Sequence, residues 1–199
     1  SRRIDLQNEE EKTLEPNFWD NPEAAQKQLQ KVAGIKSWLT DFDAVASQVE
    51  ELTMMPDFIA EGIATEDEFD VLYATTLEAV EALELRNMLR GEEDKMGAIV
   101  DINAGAGGTE ALDWADMLLR MYTRWCEAHG YKVKMLDYQA GDEVGVKSCT
   151  MEVEGEFAYG YLKSENGVHR LVRVSPFDAN ARRQTSFAAL EVMPEMDDD

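Results

Sequence analysis

Residues 175–187, SPFDANARRQTSF, gather the groups in this chain best suited to recognition chemistry. They combine the hydroxyls of Ser175 and Thr185, the amide of Gln184, the ring of Phe177 and the guanidinium groups of Arg182 and Arg183. Pro176 fixes its own φ and drives Ser175 toward an extended backbone. A hydroxyl at that point can donate or accept, because its hydrogen rotates. It can therefore meet either an amino group or a carbonyl on a purine edge, while size rejects pyrimidines. Single-stranded RNA is read in this way, with base edges hydrogen-bonded and faces stacked on aromatic or guanidinium planes. The same composition also makes an ordinary surface hairpin loop, since Pro, Asn and Asp are common turn residues.

A second stretch, NAGAGGTEALDW (103–114), feeds a Gly-rich turn into the start of a helix, with Thr109 as the expected N-cap. Bare amides and the positive dipole end attract phosphate, carboxylate or a base carbonyl there. It is not a P-loop, because no Gly-Lys-Ser/Thr follows, and it lacks the Gly-x-Gly-x-x-Gly fingerprint. A plain strand-to-helix turn accounts for it as well, and Glu110 then simply complements the dipole. His129 and His169 fall in different elements without a Ser or Cys partner, so a structural role is expected for each. Cys126 and Cys149 form no Cys-x-x-Cys and have no His cluster nearby. No disulfide framework, metal site or cofactor is expected, and a reducing cytoplasm is the expected compartment.

These groups need elements to position them. Asn21 as N-cap, Pro22 at the first helical position and Glu23 in the first turn start a helix. Leu29, Val32, Ile35, Leu39, Phe42, Val45, Val49 and Leu52 continue it for about 30 residues at helical spacing. The segment TMMPDFIAEGIA (53–64) is expected to interrupt, before Thr65 and Glu68 form a capping box for a second helix. That helix carries Phe69, Leu72, Thr76, Val80, Leu83 and Asn87 on one stripe. An antiparallel, coiled-coil-like hairpin follows, after a charged helical remnant at 4–15. Beyond 90–97 the pattern changes. A strand is expected over 98–105 and a helix from Thr109 to about His129. Strand-like runs then follow at 131–139, 144–155, 156–167, 168–175 and 185–194. The fold class is α+β: an N-terminal long-helix hairpin domain (1–96), then a meandering antiparallel sheet packed with one helix (97–199).

The chain has 199 residues with 19 Lys and Arg against 41 Asp and Glu, a formal net charge of -22. Residues 1–96 hold 9 basic against 23 acidic groups, and residues 97–199 hold 10 against 18. Over 163–187 the balance inverts, with Lys163, Arg170, Arg173, Arg182 and Arg183 against Glu165 and Asp178. So acidic a chain is unsuited to wrapping non-specifically on nucleic acid, where phosphate contacts dominate. One positive patch can still act locally, unless its arginines merely pair with neighbouring acids. No apolar run is long enough to span a bilayer, and no membrane partner is expected. Starting at Ser1 and ending in EVMPEMDDD just after a strand, the sequence reads as part of a longer protein.

The stretches AGAGGTEALDWADMLLRMYTRWCEAHGYK, GYLKSENGVHRLVRVSPFDANARRQTSF and PEMDDD, with NFWDNPEAAQK near the start, resemble the release factor 2 family of bacterial class I translation termination factors. The likeness spans nearly the whole chain, and Ser-Pro-Phe after GVHRLVRV is its most specific part. This resemblance implies recognition of UGA and UAA stop codons in the ribosomal decoding site. Gly107, Gly108, Thr109 and Glu110 would meet the first-position U through backbone groups. Ser175 would contact the second-position purine, with Pro176 and Phe177 shaping the loop. Thr185 would contact the third position, supported by Val172 and Arg170.

The chain departs from that family where a His usually precedes this Thr, because Gln184 stands there. An amide plane stacks less strongly than an aromatic ring. DANA also replaces a more usual Gly-containing loop. The family hydrolyses peptidyl-tRNA through a Gly-Gly-Gln motif in a further domain, and no Gly-Gly-Gln occurs in these 199 residues. No catalytic residue and no enzyme activity are therefore expected of this part alone. The implied partners are small-subunit rRNA and the mRNA stop codon, with ribosomal proteins or a GTPase release factor on the helical domain. Two other readings stand beside this one: an enzyme binding a small phosphorylated molecule at AGAGGTE, and a codon-independent ribosome-rescue relative.

Overall fold

The computed structural model describes residues 1–196, so the end of PEMDDD lies outside the described residues. The chain forms two compact units, Ser1–Met88 and the part from Leu89 onward. In the first unit α1 (Arg2–Lys12), α2 (Pro22–Ala60) and α3 (Glu66–Met88) are helices. The Asn21 side chain caps α2 by accepting from the Ala24 amide at 3.2 Å, and Pro22 occupies its first turn. Ala25, Val32 and Leu39 recur every seven residues and are buried, the seam of a coiled-coil-like contact. Leu29, Phe42 and Val49 of the expected stripe instead lie exposed at its rim.

The expected interruption at 53–64 is mostly helix. α2 runs through Pro56 to Ala60, giving up the amide hydrogen bond that proline cannot make. Met55 is buried beside it, and that packing outweighs the local penalty. Beyond the Glu61 cap, Gly62 with φ 77° turns the chain back so that Ile63 donates to the Phe58 carbonyl at 2.9 Å. The capping box then starts α3: Glu68 N–H donates to Thr65 Oγ1 at 3.2 Å, and Thr65 N–H to Glu68 Oε2 at 2.9 Å. Arg86 near the end of α3 pairs with Asp41 of α2, as an antiparallel hairpin requires. α1 lies along α2, with Lys36 paired to Glu10 at 2.6 Å and Gln28 donating to the Glu9 carbonyl at 2.9 Å.

The second unit is α+β. It contains β1 (Ala98–Ala104), α4 (Thr109–Ala128), β2 (Lys132–Ala140), β3 (Val146–Glu154), α5 (Ala158–Leu162), β4 (Gly167–Val174) and β5 (Arg183–Pro194). All pairings are antiparallel, in the order β2-β3-β1-β5-β4. This is not a simple meander. Two hairpins, β2–β3 and β4–β5, flank β1, which alternates buried and half-buried residues at the sheet centre. α4 lays Ala115, Leu118, Tyr122 and Cys126 on the sheet over Val100, Ile102, Met151 and Leu190. Burying a side chain such as Leu118 contributes about 1.5–3 kcal/mol.

The run 156–167, expected as a strand, is the short helix α5 followed by a 3-10 turn at Lys163–Glu165. Its aromatic-rich run suits a strand, but a short apolar stretch cannot by itself distinguish strand from helix. Tertiary contact decides. A Cβ on Gly160 would lie 2.7 Å from the Asp94 carbonyl oxygen, because segment 89–96 runs across α5. That segment is held by buried Asp94, which accepts from Lys163 Nζ at 2.6 Å and from the Gly91 amide at 2.9 Å. The Lys163 ammonium holds the Asp94 carboxyl below its ordinary range.

Candidate functional site

The end of β1 turns through Gly105–Gly108 into α4 while β5 follows alongside. Gly105 N–H donates to the Phe187 carbonyl at 2.8 Å, and Phe187 N–H donates to Ala106 at 3.1 Å. Gly107 has φ 130°, and a Cβ there would stand 2.8 Å from Ser186 Cβ. Gly108 (φ 59°) is the cap, so Thr109 begins the helix instead of capping it. The turn needs a positive φ at that position, which glycine adopts at no steric cost. Gly108 O accepts from Ala111 and Leu112, while the Thr109 and Glu110 amides have no partner within the helix by position. Gly107, Gly108 and Thr109 are exposed, whereas Glu110 is buried.

Glu110 meets the distant loop. Its Oε1 pairs with Arg173 Nε of β4, and its Oε2 accepts from Ser175 Oγ at 2.6 Å. Ser175 is only 5% exposed, and its Oγ also accepts from the Phe177 amide at 3.1 Å. Both polar roles of the hydroxyl are therefore in use. Arg173 further pairs with Asp113 and donates to Met117 Sδ at 3.5 Å. The Arg173 guanidinium first, and the Ser175 hydroxyl after it, hold the Glu110 carboxyl below its ordinary range despite burial. Glu110 and Asp113 in turn raise Arg173. Pro176 and Phe177 beyond them are exposed.

The loop is organised by Asp178. Its Oδ1 accepts from the Asn180 amide at 3.0 Å, and its Oδ2 from Gln184 Nε2 at 2.8 Å and Arg182 Nε at 3.2 Å. The Asn180 amide is the main reason its carboxyl lies below the ordinary range. Ala181 is left-handed, with φ 50°. In the β4–β5 hairpin, Val172 stands opposite Thr185, Arg170 opposite Phe187 and Arg173 opposite Gln184. Alternation puts Arg170, Val172 and Thr185 together on the exposed outer face. Gln184 falls on the opposite face, with Arg173 and Ser186.

The expected site residues thus occupy three adjoining places: the helix tip with the Ser175 loop, the outer-face patch, and Gln184 on Asp178. Sequence reasoning counted Arg173 and Asp178 only in the charge balance of the patch, gave them no place in the site, and passed over Asp113. An arginine on the apolar face of a strand was the available signal, since such a charge needs a carboxylate. The patch's basic residues divide: Arg173 and Arg182 are paired, while Arg170 and Arg183 have no ion-pair partner among the described residues. The histidines make local contacts, His129 Nδ1 with the Trp125 carbonyl and His169 Nε2 with the Glu165 carbonyl, both at 2.8 Å. Burial pushes both cysteine thiols up to about 11, which leaves them poor nucleophiles. Among the described residues, no group of three or more His, Cys, Asp or Glu is placed to hold a metal ion.

The family model for the PCRF domain matches residues 3–190, which takes in both units and the whole site. The chain belongs to the PCRF-domain family. PCRF-domain relatives include peptide chain release factor 2 of Listeria innocua, 48% identical over 195 residues covering 96% of this chain and 52% of that protein. Peptide chain release factor 2 of Sulfurovum sp. is 49% identical over 197 residues, covering 96% and 53%. Among solved structures, RF2 of Thermus thermophilus matches with a TM-score of 0.58 at 40% identity, over 99% of this chain and 56% of that one. This PCRF-domain chain spans about half the length of the curated relatives it matches.

Proposed function

We propose that this chain is the codon-reading half of a release factor, recognising UGA and UAA in the ribosomal decoding site during translation termination. The observation that carries the reading is the junction of two motifs 65 residues apart, where Ser175 donates to Glu110. Two surfaces suited to reading a single strand adjoin there. The helix tip offers unpartnered amides of Thr109 and Glu110 to the acceptor edge of the first-position U. The Ser175 loop offers a hydroxyl to the second-position purine, with Pro176 and Phe177 beside it. The exposed face of Thr185, Val172 and Arg170 serves the third base. Gln184 takes the place of the family's usual His.

The Ser175 hydrogen goes to Glu110. Reading a purine carbonyl requires it to leave that carboxylate, whereas a purine amino group can use the remaining lone pair. Arg170 and Arg183 would take backbone phosphates. Small-subunit rRNA and mRNA are the partners of this face. The acidic helical unit serves basic ribosomal proteins or a GTPase release factor, in the cytoplasm. Peptidyl-tRNA ester hydrolysis belongs to a part of the release factor outside these 199 residues. The phosphate-enzyme reading fares worse, because the anionic Glu110 side chain sits in the first turn where a phosphate would bind.

The test joins this chain to the C-terminal half of the Listeria innocua relative and measures peptide release on ribosomes programmed with UGA, UAA, UAG or a sense codon. Release at UGA and UAA only is expected, and Ser175→Ala should weaken it at both. Equal release at stop and sense codons would sink the proposal.

A further inference from the structure

We propose that Arg173 is a positioning residue of the reading site, joining α4 to the 175–187 loop and aiming Glu110 at Ser175. The functional part of this inference rests on the codon-reading proposal above; the structural part stands without it. All three guanidinium nitrogens reach α4: Nε to Glu110, Nη2 to Asp113 and Nη1 to Met117 Sδ. Positions 110, 113 and 117 lie on one face of the helix, so Arg173 spans two turns. It is also the last residue of β4 on the inner face, two positions before Ser175.

One charge therefore sets two things at once. It pairs with two carboxylates one turn apart, the buried Glu110 and the half-buried Asp113, and so screens each from the other. It also occupies Glu110 Oε1, which turns Oε2 to the Ser175 hydroxyl. Without Arg173 the two acids face each other, and a buried carboxylate without its cation protonates or swings away. Ser175 then loses its acceptor, and the Phe177 amide loses a fixed oxygen. A lysine at 173 carries the charge but cannot fork between two carboxylates. Arg173 touches no base in this scheme. It acts through Glu110 and Ser175.

Three variants test this: Arg173→Gln, Arg173→Lys, and Lys163→Gln, which breaks the Asp94 pair elsewhere in the same unit. In the 199-residue chain, amide hydrogen exchange at Phe177 should accelerate by roughly tenfold or more in Arg173→Gln and less in Arg173→Lys, with no change in Lys163→Gln. In the chimera with the Listeria innocua half, Arg173→Gln should raise KM for UGA and UAA ribosomes about tenfold and leave kcat within about twofold. The Lys variant should recover part of that loss. Phe177 exchange in Arg173→Gln that matches either the parent or Lys163→Gln overturns the proposal. If the Gln variant does not fold, the Lys variant decides, and unchanged Phe177 exchange in it is equally fatal. If the unsubstituted chimera shows no codon preference, the functional reading fails and Phe177 exchange alone decides the role of Arg173.

Discussion

Glu110 carries a residue-scale consequence in its proton balance. Its folded-state pKa lies below the ordinary value of 4.5, chiefly because Arg173 stabilises the charged form. A group depressed in this way contributes stability above its unfolded pKa and loses that contribution as pH falls through the folded value. Urea unfolding from pH 7 to pH 3 should therefore show stability falling below about pH 5. Glu110→Gln should be less stable at pH 7 by roughly 1–3 kcal/mol, with a shallower decline, since hydrogen bonds to a charged partner carry about that much. Equal slopes in parent and variant would show that Glu110 is not ionised by this network. Gln184 supplies a second case. Its amide donates to Asp178, and a histidine ring N–H can make the same bond while adding stacking area. In the chimera, Gln184→His should leave stop-codon release intact or improve it; a large loss of rate would mean the amide itself makes a specific contact.

The elements divide by how local their signals are. Asn21 with Pro22 and Thr65 with Glu68 start helices where the sequence places them, because a cap reaches only three residues ahead. Local signals fail where a distant segment decides, at Pro56 within α2 and in α5 beneath 89–96. The loop after β4 follows the same division. Its Asp178 turn uses ordinary local chemistry, yet Ala181 sits at φ 50°, a conformation that costs a non-glycine residue about 1 kcal/mol or more. Ala181→Gly should relieve that cost, offset in part by the greater freedom of glycine in the unfolded chain, for a net gain of up to about 1 kcal/mol. A lowered urea midpoint would show that the left-handed alanine is not strained there.

Charge belongs to the whole molecule. The net of -22 repels polyphosphate at long range, and only a few exposed arginines near the reading site oppose it. Filter binding of this chain to free single-stranded RNA at physiological salt should accordingly be negligible, while ribosomes presenting UGA compete effectively for it. Tight binding to free RNA of arbitrary sequence would contradict the proposed function, in which this surface acts only where the ribosome aligns the codon. No helix among the described residues is long and apolar enough to cross a membrane.

Legible in the residues alone were the α+β class, the long helical hairpin, the helix from Thr109 and the motifs that resemble release factors. The elements follow from caps and periodicity within a few residues, and the motifs are runs of sequence in their own right. The fold alone settles the strand order around β1, the outer-face register of Thr185 with Val172, Gly108 as the cap and the closure of Ser175 on Glu110. It alone revealed Arg173 as the link between motifs 65 residues apart. The physical reason is that a buried charge is settled by what lies across from it, and neighbours across a sheet are unconstrained by their distance along the chain.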